Sequence, residues 1–93
     1  MDHKKKLAEL ILTVIREGGS DLHLGALRVP AIRVAGELIF LLKDPVLTQE
    51  DMIGILGEIL DKSKVARFME EQEIDFSYNF REEARLRGNA FFQ

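Results

Sequence analysis

Apolar residues follow two different spacings along the chain, and each spacing predicts a different kind of element. Near the N-terminus they recur every three or four positions, which predicts a helix with one buried face. The members of this stripe are Leu7, Leu10, Ile11, Val14 and Ile15. Gly18 and Gly19 should end the helix, because glycine takes the left-handed conformation after a last turn at little cost. Residues 20–24 then alternate with a period of two, so Leu22 and Leu24 should share the inner face of a half-buried strand.

Two hairpins are predicted further along the chain. Residues 32–34 and 37–41 are short strand-like runs, and the alanine-glycine pair between them is typical of a tight antiparallel turn. Residues 74–80 and 84–92 alternate strongly between apolar and polar positions. We expect these last two runs to pair as an antiparallel hairpin, with residues 81–83 as the turn.

Two helices are predicted between the hairpins. Thr48 with Asp51 resembles a capping pair at the start of the first. Its apolar stripe is Met52, Ile53, Leu56, Ile59 and Leu60. Gly54 and Gly57 lie three apart inside this stripe, which suggests a close backbone approach at both positions. Ser63 is predicted to cap the second helix, and its inward residues are predicted to be Val65, Phe68 and Met69.

The resulting order of elements is α-β-β-β-α-α-β-β, which predicts an α+β domain with a mainly antiparallel sheet. Ninety-three residues fit a single domain, so we assign residues 1–93 to one unit. The chain stops at Gln93, directly after a strong strand pattern, so we expect it to be a piece of a longer protein. A last strand near that end should leave an exposed edge, so we expect a monomer or a weak dimer.

Composition excludes several classes of function. The chain has no cysteine, so disulfide scaffolds, thiolate zinc sites and cysteine nucleophiles are excluded. A formal net charge of −3 argues against a nucleic-acid partner that depends on phosphate neutralisation. No apolar run approaches the roughly 20 residues that a membrane-spanning helix needs, and the basic start lacks the apolar core of a signal peptide. These features favour a cytoplasmic domain.

Residue motifs for catalysis are scarce. Neither the P-loop pattern G-x-x-x-x-G-K-S/T nor the dinucleotide pattern G-x-G-x-x-G occurs in the sequence. Ser20, Asp21 and His23 are neighbours on one strand, which cannot give the geometry of a catalytic triad. Asp21 and His23 also fall short of the three protein ligands that a zinc site needs, so no metal site is expected. We interpret these two residues as part of a polar, hydrogen-bonded sheet face.

Arg85 and Arg87 are the most informative charged pair. Spaced by two on a strand, they should project from one face while Leu86 points into the core. Two adjacent guanidinium groups repel each other unless an anion or carboxylates lie nearby. One interpretation is ordinary ion pairing with Glu82 and Glu83. The other is a phosphate-binding role, because the planar fork of arginine suits phosphoryl oxygens.

Several blocks of sequence together resemble one family. They are residues 19–24 (GSDLHL), 32–38 (IRVAGEL), 75–77 (DFS) and 84–93 (ARLRGNAFFQ). In this order and spacing they resemble the N-terminal domain of the type IV pilus retraction ATPases (PilT-like, twitching motility), within the type II/IV secretion ATPase superfamily. The resemblance implies a PAS-like fold. It also implies that a RecA-like ATPase domain, with its P-loop, ATP and Mg, would follow residue 93.

The resemblance further implies roles for particular residues and partners. In the family, arginines of an R-x-R-x-N-A-F block reach the nucleotide held by the RecA-like domain, and this block matches residues 85–91. Arg87 is then the first candidate for the phosphate contact and Arg85 the second. The implied parent is a homohexameric, ATP-driven retraction motor, cytoplasmic and peripheral to the inner membrane. Its implied partners are RecA-like domains of the same and neighbouring subunits and the pilus platform proteins.

Two alternative functions stay open at this point. One is a PAS-like sensor or protein-interaction domain without an ATPase role. Its signature would be an internal cavity lined by Phe40, Phe76, Tyr78 and Phe91, with no function for the arginines. The other is the N-terminal domain of a pilus extension or type II secretion ATPase. Under any of these hypotheses, the 93-residue chain itself is not expected to be an enzyme.

Overall fold

The computed structural model describes residues 1–80 and 84–92, and the order of elements in them is the predicted one. Three helices and five strands occur in these residues. They are α1 (His3–Arg16), β1 (Asp21–Gly25), β2 (Ala31–Val34), β3 (Glu37–Phe40), α2 (Gln49–Gly57), α3 (Lys62–Glu71), β4 (Glu73–Phe80) and β5 (Ala84–Phe91). The predicted α+β class and the order α-β-β-β-α-α-β-β are therefore confirmed. No helix in the described ranges has the length and apolar character needed to cross a membrane.

The strands form a sheet with the order β3-β2-β1-β5-β4. β1 runs parallel to β5, whereas the pairs β1–β2, β2–β3 and β4–β5 are antiparallel. β5 therefore lies inside the sheet, and β3 and β4 form its edges. The prediction that the strand ending near Gln93 leaves an exposed edge is wrong, because β1 covers the side of β5 that β4 leaves open.

The three helices pack on one face of this sheet. A continuous core joins α1, α2 and α3 to the inward side chains of the strands. Strand residues in this core include Leu22, Leu24, Ile32, Leu86 and Ala90. Alternation along each strand places the neighbouring residues on the opposite face.

The stripe predicted for α1 is buried except at its last member. Leu7, Leu10, Ile11 and Val14 are buried, whereas Ile15 is 37% exposed. At 100° per residue, Ile15 lies roughly 90° around the helix from the centre of the buried stripe, which places it at the border with solvent. Asp2 caps the start of the helix, and its side chain accepts a hydrogen bond from Lys5 N at 3.1 Å.

Both predicted hairpins are confirmed. Ala35 and Gly36, which join β2 to β3, have φ angles of 50° and 82°, as a two-residue turn between twisted strands requires. β4 and β5 pair from Glu73 opposite Phe91 to Phe80 opposite Ala84. The predicted turn at residues 81–83 lies outside the described residues.

The start of α2 matches its prediction, and its interior matches in part. Thr48 Oγ1 accepts a hydrogen bond from Asp51 N at 3.0 Å, and Asp51 Oδ2 accepts one from Thr48 N at 3.1 Å. Met52 and Leu56 of the predicted stripe are buried. The helix ends at Gly57, so Ile59 and Leu60 lie beyond it, and Ile55, which the stripe does not include, is buried as well. A side chain at Gly54 would collide with the ring of His3, so the close approach there is made by a side chain rather than by another backbone. The same expectation for Gly57 is wrong, since outside its own helix no atom of the described residues lies within 4 Å of a Cβ built at that position.

Two predictions for α3 are also wrong. Asp61, rather than Ser63, caps the helix, accepting from Lys64 N at 2.9 Å and from Ser63 Oγ at 2.8 Å. The hydrogen bond from the Lys64 backbone lowers the pKa of Asp61 below its usual value. Met69 is 45% exposed, because only a narrow stripe of α3 around Phe68 contacts the rest of the domain. Phe68 is buried, with the ring of Phe92 4.6 Å away in an edge-on arrangement.

Candidate functional site: the open face of the sheet

The face of the sheet opposite the helices is the candidate functional site. In residues 1–80 and 84–92, no helix covers it, and its side chains are mostly polar. They come from neighbouring strands and include Asp21, His23, Arg33, Asp75, Ser77, Arg85, Arg87 and Asn89. Part of this face forms an open groove of about 670 Å³ around Arg87, between β1 and β4.

Arg87 and Asp21 form an ion pair at the centre of this face. The two residues are register partners on the parallel strands β5 and β1. Arg87 Nη2 donates to Asp21 Oδ1 at 3.1 Å. The side chain of Arg87 is 73% exposed and that of Asp21 is 17% exposed. Asp21 thus anchors one nitrogen of the guanidinium while most of this cation faces solvent.

The environment of Asp21 favours its ionised form. A hydrogen bond from the Ser20 side chain lowers the pKa of the carboxyl, and Arg87 lowers it further through its hydrogen bond and its charge. Partial burial acts in the opposite direction but does not dominate. Asp21 is therefore negatively charged at neutral pH, as an anchor for an arginine must be.

Arg85 projects from the same face but has a separate anchor. Its Nη2 lies 3.4 Å from Ser77 Oγ on β4, a long hydrogen bond. The predicted shared face of Arg85 and Arg87 is confirmed, as is the inward position of Leu86, which is 6% exposed. The possible ion-pair partners Glu82 and Glu83 lie outside the described residues.

Two further polar side chains of this face, Asn89 and His23, differ in their hydrogen bonding. Asn89 Nδ2 donates to Asp75 Oδ1 at 2.8 Å and to Glu73 Oε1 at 3.3 Å. His23 is the register partner of Asn89, and its buried Nε2 has no hydrogen-bond partner within the described part of the chain. The predicted hydrogen-bonded polar face therefore holds for Asp21 and fails for this nitrogen of His23. Among the described residues, no group of three His, Cys, Asp or Glu could hold a metal ion.

The aromatic cavity of the sensor hypothesis does not form. Phe40 lies on the edge strand β3 and is 53% exposed, at the opposite edge of the sheet from Phe76 and Tyr78 on β4. Phe91 lies on the open face, where the guanidinium of Arg28 stacks 5.5 Å from its ring centre. The two faces of the sheet separate these aromatic residues, so they do not line one cavity.

Sequence reasoning identified the arginines but not their anchors. The sequence predicts a polar face for Asp21 but no partner, because its contact with Arg87 depends on strands 66 residues apart becoming neighbours. Ser77 and Asn89 lie in sequence blocks of the family resemblance, but no role is predicted for either. In the register of the last hairpin, Ser77 lies opposite Arg87 and Asn89 lies opposite Asp75. Those cross-strand positions are the signal that could have identified both residues.

Comparisons with known proteins give a consistent result. No family model matches the chain. It is 34% identical over 87 residues to the "Type IV pilus retractation ATPase PilT" of Pseudomonas aeruginosa, which covers 94% of this chain and 25% of that protein. It is 28% identical over 85 residues to the "Type IV pilus ATPase PilU" of the same organism, which covers 91% of this chain and 22% of that protein. The chain thus spans about a quarter of the length of these curated relatives.

A solved structure shares the fold as well. The match has a TM-score of 0.69 at 35% sequence identity, and it covers 91% of this chain and 25% of the solved one. That structure is the "Crystal Structure of the Pilus Retraction Motor PilT and Bound ADP". The fold is therefore an α+β domain of a type found within a pilus motor protein. More specifically, the chain is similar to the N-terminal domain of the PilT-like type IV pilus ATPases, which confirms the resemblance inferred from its sequence.

Proposed function

We propose that this chain is the N-terminal domain of an ATP-driven, hexameric motor for type IV pilus retraction. Residues 1–93 would form one domain, and a RecA-like ATPase domain would follow them. The observation that carries this proposal is the shared fold and 35% identity with a pilus retraction motor of which the chain covers only a quarter. The names of both curated relatives, each a type IV pilus ATPase, agree with it.

The function of the domain within that motor is to bring Arg87 to the nucleotide. A guanidinium has five N–H donors, and the single hydrogen bond to Asp21 leaves most of them available to phosphoryl oxygens. Asp21 acts as a positioning residue, since it is ionised and mostly buried at the base of the arginine. Arg85 is the second candidate, held less firmly by its 3.4 Å contact with Ser77.

The nucleotide and its Mg ion would be held by the RecA-like domain rather than by this chain. The sequence lacks the P-loop pattern that binds phosphates in such domains, so we expect neither ATP hydrolysis nor tight ATP binding by the 93 residues alone. This chain would contribute an exposed guanidinium, whose planar fork fits the oxygens of a phosphoryl group. The proposed partners are RecA-like domains of the same and neighbouring subunits and the platform proteins of the pilus machine, at the cytoplasmic side of the inner membrane.

The test is the ATPase activity of the full-length parent protein with Arg87→Ala. We expect turnover to fall roughly 10³-fold, as for other arginines that neutralise a transferring phosphoryl group from outside the P-loop. Arg87→Lys should restore little, because it keeps the charge but loses the planar fork. Arg85→Ala should have a smaller effect.

The matched control is Arg16→Ala, which removes an exposed arginine from the last turn of α1, on the helix side of the sheet. It should leave turnover unchanged. Melting curves of all variants separate loss of activity from loss of structure. Near-normal turnover in Arg87→Ala, together with an unchanged melting temperature, would reduce Arg87 to a surface ion pair with Asp21.

A further inference from the structure

The outer edge of β4 borders an open groove that the function proposed above does not use. The groove has a volume of about 690 Å³ and runs between this edge and α3. Apolar, basic and acidic side chains line it together, among them Ile59, Leu60, Ile74, Phe76, Lys64 and Glu71. Arg67 is held by Glu71 at 3.3 Å on the same helix.

The backbone of β4 presents unpaired groups to this groove. Phe92 N donates to Gln72 O at 3.0 Å, which fixes the hydrogen-bonding phase of the β4–β5 pair. In an antiparallel ladder, hydrogen-bonded and non-hydrogen-bonded residues alternate. Residues 74, 76 and 78 thus direct their N–H and C=O groups to β5, whereas residues 73, 75 and 77 direct theirs to the open edge. Those three residues offer donors and acceptors over about 14 Å of strand.

The other edge of the sheet is less available. β3 has four residues, from Glu37 to Phe40, against eight in β4. Leu42 N donates to Phe40 O at 3.0 Å, so a tight turn already uses one of its edge acceptors. β4 is consequently the edge at which an added strand finds a continuous row of backbone partners.

The charge on β4 specifies the chemistry of such a strand. Glu73 and Asp75 are exposed on the open face of the sheet, and both accept from the amide of Asn89. In the described part of the chain, neither carboxylate forms an ion pair. A strand added at the usual spacing places every second side chain opposite them, where an opposite charge is favourable and a like charge is unfavourable. The alternate side chains would face the apolar residues of the groove.

We propose that the edge of β4 binds an extended segment of a partner protein by strand addition. The segment carries Lys or Arg at every second position, opposite Glu73 and Asp75, and apolar residues at the positions between, which enter the groove beside α3. Backbone hydrogen bonds provide much of the affinity in this mode of recognition, and the alternating side chains provide the specificity. Neither Arg85 nor Arg87 lines this groove, although Asp75 and Ser77 border both it and the groove around Arg87.

The test uses the 93-residue chain and a seven-residue peptide that alternates lysine and valine. Titration calorimetry should show binding at least tenfold tighter than that of a matched peptide alternating glutamate and valine. Affinity should fall as salt is raised, since it depends on charge. Amide NMR signals of residues 73, 75 and 77 should shift on binding. Methylating alternate backbone nitrogens of the peptide should weaken binding at least tenfold.

Two variants locate the interaction on the chain. Asp75→Lys reverses the charge of an exposed side chain and should weaken binding of the lysine peptide at least tenfold. Ser77→Pro removes an edge-facing N–H that does not bond to β5, and should also block strand addition. Glu17→Lys, a charge reversal at the end of α1, is the matched control and should leave the affinity unchanged. If Ser77→Pro lowers the melting temperature substantially, its loss of binding could come from unfolding. Asp75→Lys alone then tests whether the peptide binds at the edge of β4.

Several outcomes would overturn the proposal. They are absence of binding at millimolar peptide, equal binding of the acidic peptide, and full affinity in Asp75→Lys. Self-association is measured by sedimentation over a range of concentrations. A dimer that Ser77→Pro abolishes would make a second copy of this chain the occupant, and would equally overturn the partner segment proposed here.

Discussion

The two faces of the sheet are made by the same strands and differ in almost every physical property. On the helix-covered face, Leu86 is 6% exposed and belongs to a continuous apolar core. On the open face, the next residue, Arg87, has a side chain that is 73% exposed and contacts one carboxylate. One step along β5 thus changes the role of a residue from packing to recognition. The covered face should determine the stability of the domain, and the open face should determine what it contacts.

The largest effect should come from shortening Leu86. Leu86→Ala leaves a cavity among residues of the core, and we expect a loss of about 2–5 kcal/mol of unfolding free energy. Urea or thermal unfolding of the 93-residue chain measures this loss. Leu42→Ala, at a position 81% exposed, is the control and should change stability by less than about 0.5 kcal/mol. Similar losses in the two variants would contradict the distinction between the covered face and the surface.

Gly88 offers a second test of the covered face, by adding atoms instead of removing them. A Cβ at this position would collide with the ring of Phe76 on the neighbouring strand. We therefore expect Gly88→Ala to cost about 1–3 kcal/mol of unfolding free energy, since the ring must move to make room. Gly57→Ala is the matched control, because nothing lies within 4 Å of its added Cβ. A stable Gly88→Ala domain would mean that Phe76 has room to turn aside.

Arg87→Ala should have a much smaller effect on stability than either change. Its ion pair with Asp21 is largely exposed to solvent on the arginine side, and such pairs contribute about 0.2–1 kcal/mol. The measurement is the same unfolding experiment, on the 93-residue chain. A loss as large as that of Leu86→Ala would show that the open face also carries the fold.

The success of sequence-based prediction depended on how local each feature is. The Ala35-Gly36 turn and the Thr48–Asp51 cap were predicted correctly, because each is decided by residues within three positions of one another. The errors at Ile15 and Met69 have another cause: helical spacing identifies a side of a helix, but the extent of burial depends on what packs there. An apolar stripe alone does not contain that information.

The candidate site shows the same limit more clearly. Alternation along the last strand was enough to place Arg85 and Arg87 on one face and Leu86 on the other. The anchor of Arg87 was not predictable in this way, because Asp21 becomes its neighbour only through the parallel pairing of β1 with β5. The resemblance to a known family indicated which arginines matter, but it did not reveal which side chains hold them.

The smallest expected effect concerns the pH dependence of stability on the open face. The folded-state pKa of Asp21 lies below its usual value of 3.8, mainly through the hydrogen bond from Ser20 and then through Arg87. Because the pKa is depressed on folding, the carboxylate stabilises the domain above about pH 4, and this contribution is lost as the pH falls through the folded-state pKa. Asp21→Asn should therefore lower the melting temperature slightly at pH 6 and should make its decline below about pH 4 shallower.

Ser20 and Arg87 both lower the pKa of Asp21. Melting curves of variants between about pH 2.5 and 7 can separate their contributions to the acid decline. Ser20→Ala removes the largest single cause of the lowered pKa, and Arg87→Ala removes two further ones, its hydrogen bond and its charge, so each variant should flatten the acid decline. An acid decline that Ser20→Ala leaves unchanged would mean that the exposed guanidinium, rather than the neighbouring hydroxyl, lowers the pKa of Asp21. In that case an arginine drawn away by a phosphate would let the pKa of Asp21 return toward its usual value of 3.8, and the carboxylate would stay ionised at neutral pH.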